Sequence, residues 1–311
     1  MEFDKKDESS FVAKRFDRTQ EYALTFLRQN MTHLFRLGSH NQCRFLGMKK
    51  YWQVFQISLQ QELYYRASFI MDRARSITIV IAFYAFWTAL FSDRATLLGF
   101  SKSQMLTYVL GMNILRALIF SDKTWEMLRE INMGRLSYYL IRPISYIRYC
   151  LCRDMADKCM HLVSSVLEVS FALLILNIPF YVPRDFLTVL TFLTASAFAM
   201  LLYFLMTYAV GALAFWTAES MGPRFCFELF LEFAAGAFFP LDVLPRSLKT
   251  AFELLPFSSL LYFPLNIFLE RLDPEALLRG FAIQIFWIGI FFYFTRAIWN
   301  KGLQAYCAEG G

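Results

Sequence analysis

Long apolar runs alternate with short polar breaks along most of the chain. At about 20 predominantly apolar residues per membrane crossing, the pattern predicts six spanning helices. They are SITIVIAFYAFWTALF (76–91), SQMLTYVLGMNILRALIF (103–120), CMHLVSSVLEVSFALLILNIPF (159–180), FLTVLTFLTASAFAMLLYFLMTYAVGALAFW (186–216), FCFELFLEFAAGAFFPL (225–241) and FAIQIFWIGIFFYFTRAIW (281–299). The fourth is long enough to tilt or to run out of the bilayer. Between the fifth and sixth, an apolar stretch is broken by Pro245, Pro256, Pro264 and Pro274. Proline donates no N–H and clashes with the preceding turn, so short re-entrant or interfacial helices are expected there. The expected fold class is all-α, a polytopic integral membrane protein with six transmembrane helices.

Two polar regions carry their own periodicity. In SDKTWEMLREINMG (121–134), Trp125, Leu128 and Ile131 recur at helical spacing, which predicts an amphipathic helix lying along the membrane face. Gly134 can end it, and Arg142 and Pro143 restart the chain at a new angle. The result is either a docking surface or a topological anchor. In residues 11–35, Phe16, Ala23, Leu24, Leu27, Met31, Leu34 and Phe35 also follow helical spacing. The chain is therefore read as an N-terminal extension, 1–48, and a transmembrane domain, 49–311.

Composition agrees with a lipid solvent. Of 311 residues, 57% are hydrophobic and only 18% charged, against roughly 25% charged in a soluble domain. Lysine and arginine set the orientation: residues 1–75 hold 13, the loop 121–158 holds 7, and the three connections on the other side together hold 7. Both termini and the 121–158 loop are expected on the cytosolic side of a cell membrane, the inner membrane in a bacterium. Its basic residues suit anionic lipid headgroups, and no nucleic-acid partner is expected. The opening MEFDKKDESSFVAKRFDRTQ lacks the apolar core of an export signal. Cys150, Cys152, Cys159 and His161 lie close together in sequence, but positions 150 and 152 point about 200° apart on a helix, which suits no shared metal. Neither a metal site nor a disulfide is expected.

Ionisable groups at bilayer depth are costly and mark pathways or interfaces. Arg116 lies near one end of its helix and is expected to snorkel. Glu228 is one turn from Arg224 and pairs with it. Glu168 sits near the middle of its helix and Glu232 two turns beyond Arg224. These two glutamates line a translocation path or permease interface, or they are hydrogen-bonded packing groups. No Ser, His and Asp arrangement suggests a hydrolase, and no GxxxxGK followed by Ser or Thr cradles a nucleotide.

INMGRLSYYLIRPIS resembles a signature of the six-helix permease subunits of type-2, exporter-like ATP-binding cassette (ABC) transporters, at Ile131, Gly134, Leu136, Leu140, Arg142 and Pro143. GALAFW, the glycine and proline pattern of GAFFPLDVLPRSLKTAFELLPFSSLLYFPLNIF, and the tail with Gln284, Trp287, Trp299 and Gly310–Gly311 also resemble that family. The resemblance covers about Lys49 to Gly311. It implies a chain that is not an enzyme, has no cofactor of its own, and pairs with a second permease, either a copy or a sister. Cytosolic ABC ATPase subunits, carrying ATP and Mg, would drive it. It also implies that the loop between helices two and three is a coupling helix touching the ATPase, through Ile131, Gly134, Arg135, Leu136, Arg142 and Pro143. The alternative is a proton-coupled secondary transporter using Glu168 and Glu232; an internal repeat would favour it, and none is visible.

Overall fold

The computed structural model describes residues 43–306 apart from 65, 93–95, 122, 177 and 218. The helix expected over 11–35, Cys307 and the closing glycine pair lie outside the described residues. The chain divides into two units, Met1–Trp52 and Gln53–Gly311. Of the first, only the opening of helix α1 (Cys43–Tyr64) is described.

The second unit is almost wholly helical. After α1 come α2 (Arg66–Leu90), α3 (Lys102–Ile119), α4 (Lys123–Asn132), α5 (Ser137–Leu140), α6 (Tyr146–Leu176) and α7 (Phe186–Gly211). They are followed by α8 (Met221–Ala234), α9 (Arg246–Leu254), α10 (Tyr262–Phe268) and α11 (Pro274–Ala305). A two-residue antiparallel ladder, β1 (Thr96–Leu97) with β2 (Phe100–Ser101), precedes α3. Ser101 then starts α3 with a capping box: its hydroxyl accepts from the Gln104 backbone N–H, and the Gln104 side chain accepts from the Ser101 N–H, so two otherwise orphaned donors are satisfied.

Among the described residues, four stretches are long and apolar enough to cross a membrane: Lys102–Asn132, Tyr146–Leu176, Phe186–Phe215 and Pro274–Ala305. Helices α2 and α8 stand where the first and fifth crossings are expected. With 25 residues, α2 is about 37 Å long at a rise of ~1.5 Å per residue, enough for a hydrocarbon core of ~30 Å. Asp72, Arg73 and Arg75 dilute its apolar character. α8 has 14 residues, about 21 Å by the same rise, and falls short. It stops because Gly236 turns at φ +81°, a conformation open to glycine at little cost.

The expected third helix begins 13 residues earlier than read, at Tyr146 instead of Cys159. Arg153, Asp154, Asp157 and Lys158 look like a loop in sequence, yet all four are buried inside the helix. They are tolerated there because each faces an opposite charge. The proline-broken stretch becomes α9 and α10, and Tyr262 to Ile267 are buried.

Packing brings α11 against α7, α3 against α6 and α2, and α10 against α7. The central core holds Leu106, Tyr108, Met112, Leu115, Leu202, Tyr203, Met206, Leu261 and Leu265. Gln284 staples the bundle: its Nε2 donates to the Ala195 carbonyl at 2.9 Å and the Ser259 carbonyl at 3.1 Å. Trp287 Nε1 donates to the Leu254 carbonyl at 2.9 Å. Trp299 lies in a second cluster at the α4 end, stacked on Tyr146 with ring centroids 5.4 Å apart. Gln284, Trp287 and Trp299 are thus fasteners between helices.

Candidate functional site

Helix α4 is short and two-faced. Met127, Leu128 and Ile131 are buried, and the helix packs on α6, α7 and the single tight turn at Ala212–Phe215. After Asn132 the chain reverses at Gly134, where φ is +71°. The Leu136 N–H then reaches the Glu130 carbonyl at 3.1 Å, and the Ser137 hydroxyl donates to the Gly134 carbonyl at 2.7 Å. The six loop residues divide by role in this geometry. Ile131 and Leu136 are buried and hold the loop to the bundle, Gly134 makes the turn, Arg135 and Arg142 are half-buried, and Pro143 is exposed. The outer surface of the loop is instead apolar: Met133, Tyr138, Leu140 and Ile141 are exposed, Ile141 to 82%.

One carboxylate clasps this loop. Glu130 accepts from Tyr139 Oη at 3.3 Å, from Arg153 Nη1 at 2.8 Å and from the Tyr146 hydroxyl. The Tyr139 and Tyr149 hydroxyls stand 3.3 Å apart. Burial, with Glu130 alongside, pushes the Tyr139 phenol above its ordinary pKa, so it stays a neutral donor. Further along α4, Arg153 also pairs with Glu126. Lys123 pairs with Glu62, with Glu126 at 3.0 Å and with Asp157 at 3.7 Å. Sequence reading missed this group. The available signal was four-residue spacing: Glu126 with Glu130 on one helix, Arg153 with Asp157 on another.

The network continues into the bundle. Asp157 faces His161 Nε2 at 3.5 Å, and Arg73 Nη2 meets His161 Nδ1 at 2.7 Å. Arginine only donates, so Nδ1 is the acceptor and the ring proton sits on Nε2, toward Asp157. Arg73 Nη1 donates to Glu168 Oε1 at 3.2 Å. The other Glu168 oxygen accepts from Ser76 Oγ at 2.8 Å and Asn113 Nδ2 at 3.3 Å. Glu168 is therefore a fully engaged hydrogen-bonded group.

Beside it lies a cavity of about 410 Å³ between α2, α3, α6 and α8, with Ser121 and Trp125 at the α4 end. Its lining is graded along α2: Asp72, Arg73, Arg75 and Ser76 near that end, then Ile79, Val80, Phe83 and Trp87. Glu232 lines it and pairs across it with Arg116 of α3. Arg116 thus serves as the partner of Glu232 and not as a headgroup anchor. Glu228 also lines the cavity, 3.8 Å from Arg224 as expected and 3.0 Å from the indole N–H of Trp125. Of the two glutamates singled out, Glu232 faces the cavity, whereas Glu168 stands behind Arg73, Ser76 and Asn113, which do.

These features, long apolar helices, a charged cavity among them and a clasped loop at one end, suit a membrane-embedded protein. A family model described as ABC-2 family transporter protein matches residues 77–310. The chain belongs to the ABC-2 transporter family. No curated protein matches it in sequence. The family match covers α3 to α11 and the second half of α2, so the loop and most of the cavity lie inside it, whereas α1 with Glu62 and the cavity residues Asp72, Arg73, Arg75 and Ser76 lie outside. Family membership identifies the chain as a membrane permease subunit that associates with ABC ATPases.

Proposed function

We propose that the chain is an exporter permease with both termini in the cytosol, whose α4–α5 loop docks on a cytosolic ATPase. A second permease, a copy or a sister, completes the path, and ATP and Mg belong to the ATPase. The carrying observation is the position of α4: Trp125 lines the cavity, while the loop that ends α4 exposes Met133, Tyr138 and Ile141. One short helix thereby has access to both a partner and the path. The inward bias of lysine and arginine supports the orientation.

The graded lining supports an amphiphilic substrate, with its head among Arg73, Arg75 and Asp72 and its apolar part toward Phe83 and Trp87. A proton-coupled carrier is the weaker reading, because Glu168 and Glu232 are each held by an arginine. Each carboxylate is thereby engaged as a tie between helices.

Co-purification tests the docking. The full chain is expected to bring down its ATPase, and Ile141→Asp, at a site too exposed to disturb folding, is expected to lose it. Equal recovery with the aspartate in place would remove the loop from the interface.

A further inference from the structure

Helix α4 grips two walls of the cavity, and the grips differ in kind. Toward α6 the hold is ionic and many-stranded: Lys123 to Asp157, and Glu126 and Glu130 to Arg153. Toward α8 it is slight. The Trp125 indole N–H donates to Glu228 Oε2 at 3.0 Å, and the Trp125 ring lies under the Arg224 guanidinium, 5.3 Å from its centroid. At the far end of α4, Asn132 Nδ2 donates to Ser220 Oγ, just before α8, at 3.1 Å.

Arg224 marks this joint as unfinished. Its side chain has 0% exposure, and none of its three guanidinium nitrogens has a hydrogen-bond partner. Among the described residues its one close charge is Glu228 at 3.8 Å. A buried guanidinium without hydrogen bonds is poorly compensated for its lost water, so any shift of α8 that supplies an acceptor is favoured. At the α6 face the corresponding guanidinium, Arg153, is bonded to Glu130 at 2.8 Å and paired with Glu126. A displaced α4 therefore carries α6 with it as one body and changes its relation to α8. Glu232 lies one turn beyond Glu228 on α8 and bridges to Arg116, so movement of α8 is felt across the cavity.

We propose that Trp125 is a positioning residue that transmits displacement of α4 to α8 and opens the Arg116–Glu232 bridge across the cavity. The proposal rests on the reading of the α4–α5 loop as the ATPase dock.

The test uses the full chain assembled with its ATPase in proteoliposomes, with the native cysteines changed to serine and Ala117→Cys, in the cavity wall, as reporter. The rate at which fluorescein maleimide labels that cysteine is read with and without vanadate-trapped nucleotide, beside ATP hydrolysis. Trapping is expected to change the rate about tenfold with Trp125 present, within the usual span of coupling between sites. Trp125→Phe keeps a ring over Arg224 and removes the N–H. It is expected to abolish the change in labelling while hydrolysis continues. Glu228→Leu, which removes the acceptor from the other side, is expected to do the same.

A native response in Trp125→Phe and Glu228→Leu overturns the proposal. So does joint loss of assembly, hydrolysis and response in Trp125→Phe, because the residue would then serve docking or folding. A reporter that ignores nucleotide with Trp125 present overturns it as well. Ile141→Asp separates the two readings: unimpaired assembly and hydrolysis there fails the dock, whereas loss there with a native response in Trp125→Phe fails only the transmission.

Discussion

Two carboxylates each tie several elements together, Glu130 on α4 and Asp242 near the opening of α3, and the two ties are built for different work. At the α4 end, Glu130 binds side chains of α5 and α6, with Arg153 only 10% exposed. At the other end, Asp242 accepts from Lys249 Nζ at 2.7 Å, Tyr262 Oη at 2.9 Å and Arg271 Nη1 at 3.2 Å, and the lysine is 30% exposed. Arg271 also bonds Asn266 Oδ1 at 3.0 Å and lies over the Phe100 ring. The first tie joins a long helix to a short one away from water, where breaking one partner strands the rest. The second joins α9, α10 and the β1–β2 turn beside solvent, where ion pairs contribute little and exchange readily. The contrast implies an α4 end that moves as one piece and an opposite end that opens contact by contact.

The largest effect expected from this contrast is at Glu130. Glu130→Ala leaves Arg153 with Glu126 alone and takes the carboxylate acceptor from Tyr139 and Tyr146 in a closed site, a loss on the order of 3–5 kcal/mol. Thermal unfolding of the purified protein in detergent is the measurement. A loss as small as that of the matching change at Asp242 would erase the distinction between the two ends.

Next in size is Gly302, which tests how tightly the α4 end is filled. A methyl at Gly302 would sit 2.1 Å from the Phe215 ring, and Phe215 is itself packed edge-on against Trp299 at 5.2 Å. Overpacking of this kind costs about 1–3 kcal/mol. Gly302→Ala is expected to lower the unfolding midpoint accordingly, and an unchanged midpoint would show that Phe215 has room to swing aside.

Gly134 follows. At φ +71°, any side chain adds about 1–2 kcal/mol of backbone strain. Gly134→Ala is expected to lose that much stability and to speed protease cleavage between Gly134 and Pro143. Equal cleavage rates would mean that the clasp at Glu130, not the turn, holds the loop.

Much of this was legible in the sequence. Apolar run length located α3 and α7 to within a few residues and the middle of α11, which runs about two turns farther at each end than read, because lipid-facing and core-facing surfaces are both apolar there. The turn at Gly134 and the restart after Pro143 follow from backbone stereochemistry alone. The start of α6 was not legible: Arg153, Asp154, Asp157 and Lys158 read as a polar loop until their partners on α4, or one turn along α6, are known. α8 was overextended for the opposite reason, since AAGAFFPL is apolar enough to span and nothing in composition says that Gly236 turns. The candidate site was half visible. Glu168, Glu232 and the loop residues stood out singly, but Arg73, Trp125 and Glu130 matter only through pairings across helices, which no local pattern encodes.

The smallest effect belongs to Asp242, and its pH dependence distinguishes the open end from the closed one. Burial by itself raises the Asp242 carboxyl, but Lys249, Arg271 and the Tyr262 hydroxyl outweigh it and hold the group below the ordinary carboxylate value. A carboxyl depressed in the folded state binds fewer protons there than when unfolded, where its pKa is about 3.9. The stability it contributes is therefore complete above about pH 4 and is lost as pH falls through the lower, folded value. Asp242→Asn is expected to cost about 1 kcal/mol or less at neutral pH, as partly solvated pairs do. The gap in unfolding midpoint between the native chain and Asp242→Asn should stay constant from pH 7 to 5 and close only in stronger acid. A gap that widens on acidification would mean that the carboxyl is already protonated in the folded protein, and that the opposite end is held by hydrogen bonds in place of charge.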